Sequence, residues 1–262
     1  MKELIGYCCA VLIGISLGLI GSGGSILTVP VLVYLFGISP LMATSYSLFI
    51  VGTTSLIGAY HNFKKECINF KTVQSFGISS VLTVLIIRKL VIPYIPTHLF
   101  YLGKVDVTFS LLIMIFFSLL MIAASFSMIK NKRIFPEDTA HATPKLLLYG
   151  FALGLVTGFL GAGGGFLIIP ALVLVVCLPM KEAIGTSLLI IALNSLSGFL
   201  VDAWHYAINW ELLLIITAIA IAGVLAGSYF KKNIHGEKLK KGFGWFVLII
   251  GIFILLKEIF FL

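Results

Sequence analysis

GLIGSGGSILTVP occupies residues 18–30, and GFLGAGGGFLIIP occupies residues 158–170. Each places a cluster of glycines inside strongly apolar sequence, although glycine is the poorest helix former after proline. Gly18, Gly21, Gly23, Gly24 and Pro30 recur as Gly158, Gly161, Gly163, Gly164 and Pro170, all displaced by 140 residues. The match continues beyond the glycines. Thr44-Ser45 correspond to Thr186-Ser187, Ser55 and Gly58 to Ser195 and Gly198, and Ile68-Asn69-Phe70 to Ile208-Asn209-Trp210. Tyr60-His61 resemble Trp204-His205 with a small insertion. Five features in the same order identify an internal repeat, which sets the domain boundaries: a first repeat at 1–130, a polar linker at 131–144, and a second repeat at 145–262.

Composition fixes the class. Of the 262 residues, 60% are hydrophobic and 11% are charged, and the mean hydropathy is +1.15. So few charges cannot cover a soluble domain, and several apolar runs reach the roughly 18 residues needed to cross a bilayer. The runs fall near 4–20, 26–36, 40–60, 70–94 and 105–130, then near 145–160, 166–177, 183–203, 209–231 and 242–261. The expected fold is therefore an all-α polytopic membrane protein with two repeats of five segments each. The net charge of +8 does not indicate nucleic acid, because its lysines and arginines cluster in short loops. The four cysteines have neither CxxC spacing nor a neighbouring histidine pair, so no disulfide framework or metal site is indicated. No cofactor is expected, and the first apolar run lacks the small-residue cleavage site of a signal peptide.

Charge asymmetry gives an expected topology. With the N-terminus outside and an odd number of crossings per half, 13 lysines and arginines fall inside. They are Lys64, Lys65, Lys71, Lys130, Lys132, Arg133, Lys145, Lys181, Lys231, Lys232, Lys238, Lys240 and Lys241. Only Lys2, Arg88, Lys89, Lys104 and Lys257, 5 in all, fall outside. Both termini are then outside. Loop 202–211, with no lysine or arginine, stands opposite loop 61–71, with three, so the repeats are expected to be inverted relative to each other.

The glycine clusters acquire a use in this frame. Residues 26–36 and 166–177 would each span about half the hydrocarbon core as a helix, so broken or re-entrant helices are expected at the clusters. Open backbone at membrane depth must face a cavity or protein. A helix starting there presents unpaired N–H groups and the positive end of its dipole. Glycine allows close approach and positive φ, and Pro30 and Pro170 fit first turns starting near Thr28 and Ile168. Such a turn binds an anion through backbone alone, and paired interruptions in inverted repeats mark a transporter's central site. The bland reading is close helix packing, which Gly14-xxx-Gly18 and Gly154-xxx-Gly158 invite.

The doubled glycine-proline motif, with its Thr-Ser pairs and Asn-aromatic elements, resembles the sulfite exporter TauE/SafE family across nearly the whole chain. The resemblance implies a multi-pass inner-membrane transporter of small anions, chiefly sulfur-containing ones such as sulfite, sulfonates and sulfoacetate. Ser25, where the second repeat has Gly165, departs from the repeat and would make the two half-sites unequal.

The candidate substrate-binding residues are Gly21, Ser22, Gly23, Gly24 and Ser25 in the first turn, and Gly161, Ala162, Gly163, Gly164 and Gly165 in the second. The hydroxyls of Thr44, Ser45, Thr186 and Ser187 can donate to an oxyanion or bond back to their own helix. Asn194 is either a pocket donor or a helix–helix hydrogen bond. His61, Asp202 and His205 are candidates for coupling a proton, with sodium as the other coupling ion. Asn69 and Asn209 are expected to cap the fourth helices, and Trp204, Trp210 and Trp245 to anchor at the interface. The resulting expectation is a secondary carrier of a small anion working by alternating access. An anion channel is the nearer alternative, and an intramembrane serine hydrolase built on Ser22 with His61 or His205 the remoter one. Ala162 stands where a repeated nucleophile would be serine, which argues against the hydrolase.

Overall fold

The computed structural model describes residues 2–20, 22–96, 98–102, 105–129, 143–161, 163–174, 176–230 and 236–260. Among these, ten helices follow the ten apolar runs. In the first repeat α1 is Lys2–Ile20, a 3₁₀ turn Ser22–Leu27 leads into α2 (Thr28–Tyr34), and α3 is Pro40–Phe63. Helix α4 (Phe70–Tyr94) contains two π-helical stretches, Val73–Gly77 and Ile87–Val91, and α5 is Phe109–Ile129. In the second repeat the helices are α6 (Thr143–Leu160), α7 (Gly165–Leu174), α8 (Met180–His205), α9 (Trp210–Phe230) and α10 (Gly236–Phe260). A two-stranded antiparallel hairpin, β1 (His98–Leu102) with β2 (Val105–Thr108), lies between α4 and α5. It takes the first residues of the fifth apolar run, so that helix begins at Phe109 instead of residue 105.

The helix limits have local causes. Pro40 opens α3 from the first-turn position, where its missing N–H has no partner to lose. Asn69 Oδ1 accepts from Thr72 N at 3.1 Å and Asn209 Oδ1 accepts from Leu212 N at 3.2 Å, so both asparagines are N-caps as their position implied. The chain breaks at each glycine cluster: α1 ends at Ile20 before the 3₁₀ turn, and α6 ends at Leu160 before a turn through Gly164. At seven residues α2 is about 10 Å long, and at ten residues α7 is about 15 Å, so neither crosses a bilayer. Pro30 is the third residue of α2, but α7 starts at Gly165, three residues earlier than its proline suggests, because Gly164 O already accepts from Leu167 N and Ile168 N.

Helices α3, α4, α5, α8 and α9 contain spans long and apolar enough to cross a membrane. Large apolar side chains such as Leu119, Phe126, Ile249 and Phe253 point outward, as a lipid-facing surface requires, and Trp204, Trp210 and Trp245 are exposed.

The packing pairs helices across the repeats. Helix α3 lies along α8, α1 along α9, α6 along α4, and α5 along α10. Contacts run from Ser45–Asp202 through Gly52–Leu196 to Gly58–Leu188, so α3 and α8 are antiparallel. Helices α1 and α9 run parallel, Gly14 lying on Gly223 and Gly18 on Gly227. Helices α6 and α4 are also parallel, with Gly150 against Phe76, Gly154 against Ser80 and Gly158 against Ile87. A Cβ on Gly18 would stand 2.8 Å from Ser228 N, and one on Gly154 2.7 Å from Ser80 O. These glycines are therefore close-packing positions between helices.

Candidate functional site

The second glycine turn is tightly constrained backbone. Gly161, Gly163 and Gly164 all have positive φ, at +65°, +67° and +62°. L-residues reach that region only at a cost. The surroundings exclude a side chain as well. A Cβ on Gly163 would stand 2.8 Å from Ser195 Oγ, 2.8 Å from Val51 and 3.0 Å from Ile191. One on Gly164 would overlap Thr157 Oγ1, and one on Gly161 would overlap Thr44 and lie 2.6 Å from Arg88 Nη2. Val51 and Ile191 are near the midpoints of α3 and α8, so the turn sits at the mid-depth of the bundle.

Polar groups converge on this turn. Thr157 Oγ1 and Ser195 Oγ are fully buried and have no hydrogen-bond partner among the described residues. Buried hydroxyls of this kind are normally satisfied. Against Gly161 lies Arg88, 1% exposed, projecting from the second π-helical stretch of α4. Its Nη1 donates to Asp202 Oδ2 at 2.6 Å and to Thr44 Oγ1 at 3.3 Å, while Nε and Nη2 have no partner among the described residues. Ser45 Oγ donates to the same Asp202 oxygen at 2.5 Å. Arg88 and Asp202 are the two buried charges among the described residues, and they form a sealed ion pair. Burial, with Asp202 adding and Arg88 opposing, raises the hydroxyl pKa of Tyr206, just beyond the end of α8, above the usual tyrosine range.

This placement corrects one part of the charge count. Arg88 is no loop charge, because it turns inward to Asp202, whereas Lys89 is exposed.

The other candidates sort as follows. Thr44 Oγ1 donates back to Leu41 O at 2.7 Å and accepts from Arg88, whereas Ser45 Oγ gives its proton to Asp202 and stands 3.5 Å from Leu41 O. Their repeat-mates bond elsewhere. Thr186 Oγ1 accepts from Asn69 N at 2.9 Å, and Ser187 Oγ donates to Ile184 O. Asn194 Nδ2 donates to Ser80 Oγ at 2.7 Å, a bond between α8 and α4, and its Oδ1 has no partner among the described residues. Ser22, Gly23, Gly24 and Ser25 form the 3₁₀ turn before α2, Ser25 being fully buried, and Gly165 begins α7. Gly21 and Ala162 lie outside the described residues. His61 and His205 are exposed at the ends of α3 and α8, and His205 Nδ1 lies 2.8 Å from Val201 O, so neither meets the buried pair.

Arg88, Thr157 and Ser195 are not singled out as site residues by the sequence pattern. The signal for Arg88 is a cation inside an apolar run with an acid, Asp202, inside another; an intramembrane ionisable residue calls for a named partner.

A bundle with five spanning-length helices, a helix break at mid-depth and a buried arginine beside that break is that of a polytopic membrane protein, and the comparisons place it among membrane transporters. The model of the sulfite exporter TauE/SafE family matches residues 7–254, and the chain belongs to that family. It is 27% identical over 260 residues to a "Probable membrane transporter protein" of Xylella fastidiosa, covering 94% of this chain and 92% of the relative. A protein of the same description from Methanocaldococcus jannaschii is 26% identical, with 94% of both chains covered. The Bacillus subtilis protein YdhB, described in the same words, is 25% identical over 93% of this chain and 96% of its own. No solved structure matches.

Proposed function

We propose that this chain is a secondary carrier of a small anion, of the sulfite or organosulfonate class, which seats at the second glycine turn. The observation that carries the reading is the pair of Arg88 donors, Nε and Nη2, that have no partner among the described residues, Nη2 lying against Gly161 of that turn. A guanidinium offers planar, paired donors that match an oxyanion. The hydroxyls of Thr157 and Ser195, without a partner among the described residues, extend the donor set to mid-depth, and the N-terminus of α7 adds its dipole. A sulfonate presents three oxygens, enough to meet donors on several sides.

Alternating access is supported by the antiparallel run of the corresponding helices α3 and α8, since matching elements lie head to tail when two repeats are inverted. Ser45, Asp202 and Arg88 lie about 9 Å along α3 from Val51, where they close one side of the central turn. The location is a cell membrane, the inner one in a double-membraned organism, with both termini outside.

Thermal unfolding of the purified chain in detergent tests the site, with sulfite, thiosulfate, methanesulfonate, sulfate, carboxylates and chloride at matched ionic strength. A sulfur oxyanion or sulfonate is expected to raise Tm selectively by mass action, and Arg88→Ala to abolish the rise. A rise of equal size in Arg88→Ala removes arginine from the site.

A further inference from the structure

Charge neutrality in the buried site constrains what can accompany the anion. Arg88 and Asp202 sum to zero in a core that water does not reach. A monoanion placed on Arg88 Nε and Nη2 would leave that core with a net negative charge, which is costly in a low-dielectric interior. Asp202 already occupies the other edge of the guanidinium, so the arriving anion and the resident carboxylate compete for one cation.

We infer that Asp202 takes up a proton when an anion seats on Arg88, so that the carrier moves anion and proton together. This rests on the anion reading above. The proton comes from water on the side to which the site is open and forms an O–H bond with the Asp202 carboxylate. The Arg88–Asp202 pair gives way to an Arg88–anion pair, and Ser45 Oγ, which donates to the charged carboxylate, can accept from the protonated one. On the far side proton and anion leave, and the ion pair re-forms.

Two states of this site are neutral: empty with the pair intact, and loaded with both anion and proton. The two half-loaded states are charged, negative with anion alone and positive with proton alone. Burial of an unpaired charge disfavours both, which is the condition for tight coupling.

The groups around Asp202 come from few segments. From α3 it faces the hydroxyls of Thr44 and Ser45, and from α4 the guanidinium of Arg88. Tyr206, whose hydroxyl feels the Asp202 charge, follows on its own segment. Helix α7 and the turn Ser22–Leu27 carry no ionisable side chain. The Lys145 and Tyr149 end of α6 lies beyond Gly150, which packs on Phe76, three turns of α4 away from Arg88. His205 is exposed and turned to Val201 O.

The test is flux into liposomes containing the full chain, with methanesulfonate as the probe and a pH dye inside. Methanesulfonate stays ionised throughout, so any proton that moves with it is carried by the protein. An inward methanesulfonate gradient is expected to acidify the lumen, one proton per anion, at a rate unchanged when the membrane potential is clamped at different values. Asp202→Asn is expected to lose the acidification. Methanesulfonate uptake without acidification, at a rate that follows the clamped potential, overturns the inference and leaves the anion site standing. Absence of both Tm shift and flux with methanesulfonate, thiosulfate and sulfite removes the anion reading and this inference with it. If Asp202→Asn does not fold, the proton-to-anion ratio of the unsubstituted chain decides alone.

Discussion

Gly163→Ala is the sharpest perturbation of the central turn, because two separate costs can be assigned to it. The first is conformational: at φ +67° an alanine pays about 1–2 kcal/mol for the left-handed region. The second is steric. The new methyl would stand 2.8 Å from both Ser195 Oγ and Val51 and 3.0 Å from Ile191, neighbours held by the antiparallel α3 and α8. Overpacking of this kind costs about 1–3 kcal/mol. Gly37 supplies the control, since it has φ +68° but a methyl added there would meet nothing within 4 Å. Gly37→Ala therefore carries the conformational cost alone, reduced by about 0.4–1 kcal/mol through the stiffer unfolded chain. Thermal unfolding in detergent should place Gly163→Ala below Gly37→Ala by about 1–3 kcal/mol, or several degrees in Tm. Anion flux in liposomes should be lost only in Gly163→Ala. Equal Tm losses in the two variants, with flux retained in both, would refute the reasoning that this turn is a close-fitted site.

Other expectations concern the ion pair and the caps. Arg88→Gln removes the counter-ion of the buried Asp202 and should cost about 3–5 kcal/mol in thermal unfolding. The double variant Arg88→Gln/Asp202→Asn should recover most of that stability while remaining unable to bind anion, which separates the structural from the binding role of Arg88. Asn69→Ala should lower stability by about 1 kcal/mol. The loss should exceed that of Asn209→Ala, because Asn69 Oδ1 also accepts from Thr72 Oγ1 at 3.2 Å, whereas the Asn209 cap is exposed.

The legible parts of this molecule are those governed by neighbours in the chain. The glycine-proline repeats mark the helix breaks, because glycine takes up the φ values at Gly161, Gly163 and Gly164 without the cost an L side chain carries there. The caps at Asn69 and Asn209 and the small-residue contacts at Gly14, Gly18, Gly154 and Gly158 depend on local pattern and are readable for the same reason. Arg88 is not. Next to Lys89 and near the end of its apolar run, it reads as a boundary charge, and its partner lies 114 positions away on another repeat. The start of α7 is displaced for a local reason that proline obscures: Pro170 is the sixth helical residue, and the turn glycines, not the proline, set the first hydrogen bond. The division of labour between Thr44-Ser45 and Thr186-Ser187 is likewise hidden, since identical dipeptides differ only in what the other half presents to them.

The exchange of partners between repeats has a consequence for assembly during synthesis. Helix α1 packs on α9 and α6 on α4, so neither half can complete its packing alone. Helix α1 waits in lipid for a partner made some two hundred residues later, with Gly14 and Gly18 exposed until Gly223 and Gly227 arrive. The two halves made as separate polypeptides in one cell should therefore recover each other's helices, while either half made alone should be recognised as unfinished and degraded.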